Sequence, residues 1–158
     1  MVSQSGRTVI FALGLAILAA AGAQTSFAAD IVHTQTDQSP IARMVTVPAG
    51  ATTYYLSGML APAAEGDTKT QTVGALGEIK KALAAQNLDM ADVVMMHVYL
   101  VGDPAKDDKM DFAGMMEGYK QFFGTKEQPN KPSRSTVQVS ALAGPGYLVE
   151  IEVIAAHK

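Results

Sequence analysis

The chain has 158 residues, 12 basic and 15 acidic side chains, a formal net charge of −3 and no cysteine. That length holds one ordinary domain. The acidic balance disfavours a nucleic-acid partner, which wants a basic footprint. The missing thiols exclude disulfides, thiolate nucleophiles and thiolate metal sites.

Residues 1–28 carry one charge, Arg7, ahead of an apolar run from Val9 to Ala23 and then Ser26-Phe27-Ala28. A basic start, a short apolar core and small residues at −3 and −1 form the pattern of a secretory signal peptide cut after Ala28. The run is about 15 residues, short of the ~20 a membrane span needs. The sequence therefore predicts a signal at 1–28 and a single exported, periplasmic domain at 29–158, with no membrane in the mature form. Without Arg7 the count is 11 basic against 15 acidic residues, a net charge of −4.

Asp30 to Pro40 is polar and reads as a loose arm. Met44–Val47 and Thr52–Ser57 flank Pro48-Ala49-Gly50, which predicts a hairpin. Thr68 to Gln86 predicts a helix with Val73, Leu76, Ile79 and Leu83 at a 3.6-residue period. Gly74 and Gly77 within it suggest a close approach to the sheet. Val93 to Val101 is the strongest strand, and both of its faces are largely apolar. Both faces then want cover: a helix layer on one, another copy of the chain on the other. Met110 to Phe123 predicts a second helix, closed by Gly124. Phe112, Met115 or Met116, Tyr119, Phe122 and Phe123 form its apolar stripe, with the methionines as core filler.

Lys131 to Ala156 predicts two strands with alternating faces. On the first, Val137 and Val139 oppose Arg134, Thr136 and Gln138. On the second, Val149, Ile151 and Val153 oppose Glu150 and Glu152. Paired or neighbouring, these strands would put Arg134 and the glutamates on one sheet face, a site for a small charged ligand. The plainer reading pairs Arg134 with Glu150 or Glu152 across an interface as a structural ion pair. The element order β-β-α-β-α-β-β predicts an α+β fold, a mixed sheet with two helices on one face. His33, His97 and His157 have no metal-ligand spacing, so no metal is expected. His97 reads as packed in the sheet or in an interface, and Glu152 as structural or exposed.

Pro132-Ser133-Arg134-Ser135-Thr136-Val137, followed by Leu148-Val149-Glu150-Ile151-Glu152, resembles the signature of the RidA/YjgF family of enamine/imine deaminases. Tyr55-Leu56-Ser57-Gly58, Asp92-Val93-Val94 into Val98-Tyr99-Leu100, and Asp111-Phe112-Ala113 through Phe122-Phe123-Gly124 agree with it. The resemblance covers Ser39 to Ala156. It implies a chorismate-mutase-like homotrimer with three sites in the clefts between subunits. It also implies metal-free, cofactor-free hydrolysis of 2-imino or enamine acids to 2-keto acids and ammonia. Arg134 matches the arginine that grips the substrate carboxylate, a role suited to a guanidinium fork. Glu150 matches the glutamate beside the attacking water, and Ser57 matches a pocket serine. Ile41 stands where the family commonly has tyrosine and Met116 where it often has asparagine, so both would line the substrate pocket as apolar groups. A non-catalytic module that binds small carboxylates, or a chaperone-like trimer, remains the alternative.

Overall fold

The doubly apolar strand predicted at Val93 forms as β4 (Val93–Val101) and lies inside a four-stranded sheet. The computed structural model describes residues 29–158; the export signal expected at 1–28 lies outside the described residues. In chain order the other elements are β1 (Val32–Thr34), β2 (Met44–Thr46), β3 (Thr52–Met59), α1 (Thr68–Ala84), α2 (Phe112–Tyr119), β5 (Ser133–Val139) and β6 (Val149–His157). The sheet order is β3-β6-β4-β5. β6 runs antiparallel to both β3 and β4, and β4 runs parallel to β5. A parallel neighbour needs a crossover connection, and α2 lies within the one that joins β4 to β5.

Both helices cover one sheet face, giving the α+β arrangement that the periodicity predicts. Leu76, Ile79 and Leu83 of α1 and Met115 and Tyr119 of α2 meet Met96, Val98, Leu100, Val149, Ile151 and Val153 in one core. Asp67 caps α1 by accepting from the Thr70 N–H, and Asp111 caps α2 by accepting from the Gly114 N–H. Each cap contributes about 1 kcal/mol.

Four local expectations change. Residues 44–46 pair with β1, not with β3, in register Val32↔Thr46 to Thr34↔Met44. The predicted hairpin fails because β3 packs Tyr54, Leu56 and Met59, partly buried, against the core, and β6 supplies its partner in the core sheet. The arm at Asp30–Pro40 is not loose. Lys131 is 8% exposed, and its ammonium donates to the carbonyls of Thr36 and Ser39 at 2.9 Å each. Gln35 accepts from the Lys131 N–H at 2.8 Å, and His33 Nδ1 lies 2.8 Å from the Lys131 carbonyl oxygen. The second helix begins only after the Asp111 cap and ends at Tyr119; turns carry the chain on, and the Phe123 ring still stacks on Tyr119 at 4.9 Å. Gly74 approaches the Ala61–Pro62 loop rather than the sheet, and Gly77 has open space around it.

Candidate functional site

Arg134 sits on β5, an edge strand of the sheet, level with Met96 of β4. Met96 points into the core, so the Arg134 side chain leaves on the helix side and runs under α2. Its guanidinium lies 4.4 Å from the Tyr119 ring centroid and 5.9 Å from that of Phe112. Nη2 donates to Met116 Sδ at 3.0 Å, and Nη1 is 3.9 Å from Met115 Sδ. Thioether sulfur is a weak acceptor. Among the described residues no carboxylate pairs with this cation. Burial pulls the Arg134 pKa below its ordinary value, with the neighbouring Tyr119 acting in the opposite sense. Burial likewise pushes the Tyr119 hydroxyl up. A partly desolvated guanidinium held by ring faces and sulfurs, with strong donors unspent, is suited to receive an anion.

The glutamates lie on the other face of the sheet. Glu150 pairs across strands with Tyr99, and Glu152 with His97, all on the face away from the helices. The expected sharing of one face by Arg134, Glu150 and Glu152 is therefore wrong. Within one chain no ion pair joins them. The alternation within each strand is as the pattern predicts, but the parity between β5 and β6 is set by pairing through β4. β5 and β6 never touch as partners, and no feature of either strand alone fixes their relative phase.

On this open face the β3–β6 register slips between Leu56 and Met59, leaving Ser57 and Gly58 opposite Glu152. Such bulges re-aim a strand locally. Gly58 lets the Glu150 carboxylate approach its backbone so closely that any Cβ there would collide with Oε1. Beside it, Glu152 Oε1 lies 2.7 Å from His97 Nδ1 and accepts from the Tyr99 hydroxyl at 3.1 Å. That bond, more than burial or the two carboxylate charges, raises the Tyr99 pKa. Ser57, Glu152, His97 and Tyr55 line a hollow of about 220 Å³. Across β6, β4 and β5 the row continues from Glu152 through His97 to Ser135.

The sequence-predicted site residues thus fall into two half-sites. Met116 lies against Arg134 on the helix side. Ile41 packs at the core margin, next to Ala42, whose N–H donates to the Pro132 carbonyl just before β5. On the open face Glu150 lies against Gly58, the residue after Ser57, while Ser57 itself lines the hollow with Glu152 and His97. Sequence reasoning missed the Lys131 clamp that seats the segment before Ile41, and the His97–Glu152–Tyr99 cluster. A buried lysine three residues before Arg134 gave no periodic signal. His97 was legible only as a polar residue interrupting an apolar strand. Among the described residues no cluster of three or more histidine and carboxylate side chains is placed to hold a metal ion.

Comparison with known proteins gives one family. The Endoribonuclease L-PSP family matches residues 35–157. A RutC family protein of Pyrococcus horikoshii is 41% identical over 91 residues, 58% of this chain and 64% of that protein. Protein DfrA of Myxococcus xanthus is 38% identical over 122 residues, 73% of this chain and 84% of that protein. TdcF of Escherichia coli, named as a candidate reactive intermediate deaminase, is 37% identical over 89 residues, 56% of this chain and 63% of TdcF. The chain thus spans a little under two thirds of two of these relatives. A crystal structure of TdcF with bound serine superposes with a TM-score of 0.58 at 29% identity, covering 80% of this chain and 99% of that one.

Proposed function

The chain belongs to the RidA/YjgF family, described also as Endoribonuclease L-PSP, and from that premise we propose that it hydrolyses reactive 2-imino and enamine acids to 2-keto acids and ammonia. The observation that carries this reading is Arg134: a half-buried guanidinium with no carboxylate partner among the described residues, seated on Tyr119 and Met116. Serine bound to TdcF, an amino acid with a carboxylate, is consistent with an anion anchor in this fold.

Arg134 and Glu150 occupy opposite faces of one sheet, so a single copy does not bring them together. The site is then completed between copies. Arg134, on the edge strand β5 of one copy, faces Ser57, Gly58 and Glu150 on the open face of a neighbour. The open face of β4, with Met95, Tyr99 and Val101, is the surface that such packing buries, and the assembly is the homotrimer expected from the family. Arg134 holds the substrate carboxylate in a fork and fixes the imine carbon. Orientation of this kind is worth several kcal/mol of barrier. Glu150 accepts a proton from water as its oxygen bonds to the imine carbon. It returns that proton to nitrogen as the C=N π bond opens to a carbinolamine, then takes the proton of the new hydroxyl. The C=O bond forms as the carbon–nitrogen bond breaks, and this second proton leaves with nitrogen as ammonia. Ile41 and Met116 line the pocket with apolar surface.

The test is release of ammonia and pyruvate from 2-aminoacrylate generated in situ. No acceleration by a folded trimer overturns the enzymatic reading. Binding of 2-ketobutyrate without turnover would support the non-catalytic alternative, which the apolar Ile41 and Met116, in place of polar pocket groups, favour. We further propose that residues 1–28 direct export to the periplasm. N-terminal sequencing of the protein from cell fractions checks this: a start near Ala29 supports it and an intact Met1 refutes it.

A further inference from the structure

Two adjacent methionines on α2 turn their sulfurs toward one guanidinium, and they differ in access. Met115 is fully buried. Met116 retains 9% exposure and lines a groove of about 350 Å³ with Ser39, Pro40, Lys120 and Phe123. A small oxidant in that groove reaches Met116 and not Met115. We propose that Met116 is an oxidation site that controls anion binding at Arg134; this rests on the reading of Arg134 as an anion anchor.

The chemistry follows from the 3.0 Å contact between Arg134 Nη2 and Met116 Sδ. With a peroxide, the sulfur attacks the outer oxygen. The S–O bond forms as the O–O bond breaks, two electrons pass from sulfur to peroxide, and the departing oxygen takes up protons to leave as water. The Arg134 N–H donors stand where they can hydrogen-bond that departing oxygen, which favours this methionine over one surrounded by hydrocarbon. The product is a sulfoxide, a polar group in place of an apolar one. Its oxygen lies within reach of the same Nη2 protons and accepts from them strongly, whereas the thioether did not. Arg134 keeps its charge but no longer presents a free fork. Reduction of the sulfoxide restores the site.

The test uses the intact assembly treated with hydrogen peroxide, with peptide mass analysis and calorimetry against 2-ketobutyrate. Met44, 55% exposed, serves as the reference methionine. Met116 is expected to gain one oxygen, and 2-ketobutyrate affinity to fall about tenfold or more, the scale of losing a hydrogen bond to a charged group. Methionine sulfoxide reductase should restore it. The affinity of Met116→Leu, whatever its starting value, should not respond to peroxide. A second readout needs no ligand: in isotope-labelled protein the Arg134 guanidinium proton resonances should shift and exchange more slowly after oxidation. If untreated protein does not bind 2-ketobutyrate, the anion-anchor reading falls, and the resonance shift still decides whether the sulfoxide captures Arg134. Met116 staying reduced while Met44 is oxidised, or oxidised Met116 with unchanged affinity and resonances, overturns the proposal.

Discussion

Replacing Arg134 with lysine keeps the positive charge and removes the planar fork. In the structure the guanidinium lies 4.4 Å from the Tyr119 ring centroid, and its only polar side-chain contacts among the described residues are two thioether sulfurs. A lysine ammonium is a point donor on a flexible stem and lacks the fork. One charge-assisted hydrogen bond to the carboxylate is lost, roughly 1.5–3 kcal/mol. At 1.4 kcal/mol per tenfold, the Kd for 2-ketobutyrate should weaken by about ten- to a hundredfold. Calorimetry measures it, with light scattering to confirm that the assembly is unchanged. In the deaminase assay kcat/KM should fall by the same factor, whereas Glu150→Gln should act mainly on kcat. If Arg134→Lys binds within twofold of wild type, the fork does not meet a carboxylate and the anion-anchor role is refuted.

Tyr119→Phe should stabilise the protein by about 1 kcal/mol in thermal unfolding, because the Tyr119 hydroxyl is buried with no hydrogen-bond partner among the described residues. It should also flatten the alkaline limb of the stability curve. Burial raises the Tyr119 pKa above its ordinary value of 10.0, so the unfolded chain loses this proton first. The stability linked to it is intact below pH ~10 and falls as pH rises beyond; a variant less stable than wild type with the same alkaline limb would contradict both points. Gly58→Ala should push the Glu150 carboxylate away from the bulge and lower turnover roughly tenfold or more, with circular dichroism unchanged, since small misplacements at a reacting centre are costly; unaltered turnover would remove Glu150 from the site. Lys131→Met should free the Thr36 and Ser39 carbonyls, and amide exchange at Val32–Thr34 should quicken about tenfold, the scale of losing one hydrogen bond to a charged group. Unchanged protection there would show that the arm is held by something other than the lysine.

Both helices and the two-face division of β4, β5 and β6 were legible because each follows from a short-range period. Val93–Val101 is apolar on both faces, Thr68–Ala84 repeats near 3.6 residues, and Phe112, Met115 and Tyr119 mark the stripe of the second helix. What a period cannot carry is the identity of the neighbour. β5 and β6 read as possible partners, yet β4 separates them, and that one insertion moved Arg134 to the face opposite Glu150. The arm was misread for a similar reason. Its polar side chains looked solvated, but Gln35 and His33 bond to a backbone stretch almost a hundred residues away. Strand alternation singled out Arg134 and Glu150, the resemblance supplied their roles and Ser57, and their separation into two half-sites needed the strand order.

The strand order also fixes when this sheet can exist. β6, the last of the described strands, lies between β3 and β4 and is the only one among the described residues that touches both. Until residues 149–157 are available, β3 has no partner in the sheet and one edge of β4 stays open. A growing chain therefore cannot lay down its core stepwise from the N-terminus. Closure is a late event of high sequence separation, which slows folding and leaves unpaired strand edges exposed in the meantime. A nick or premature stop near Tyr147 would remove the middle of the sheet rather than its margin, and the remainder would have no smaller version of this fold to adopt.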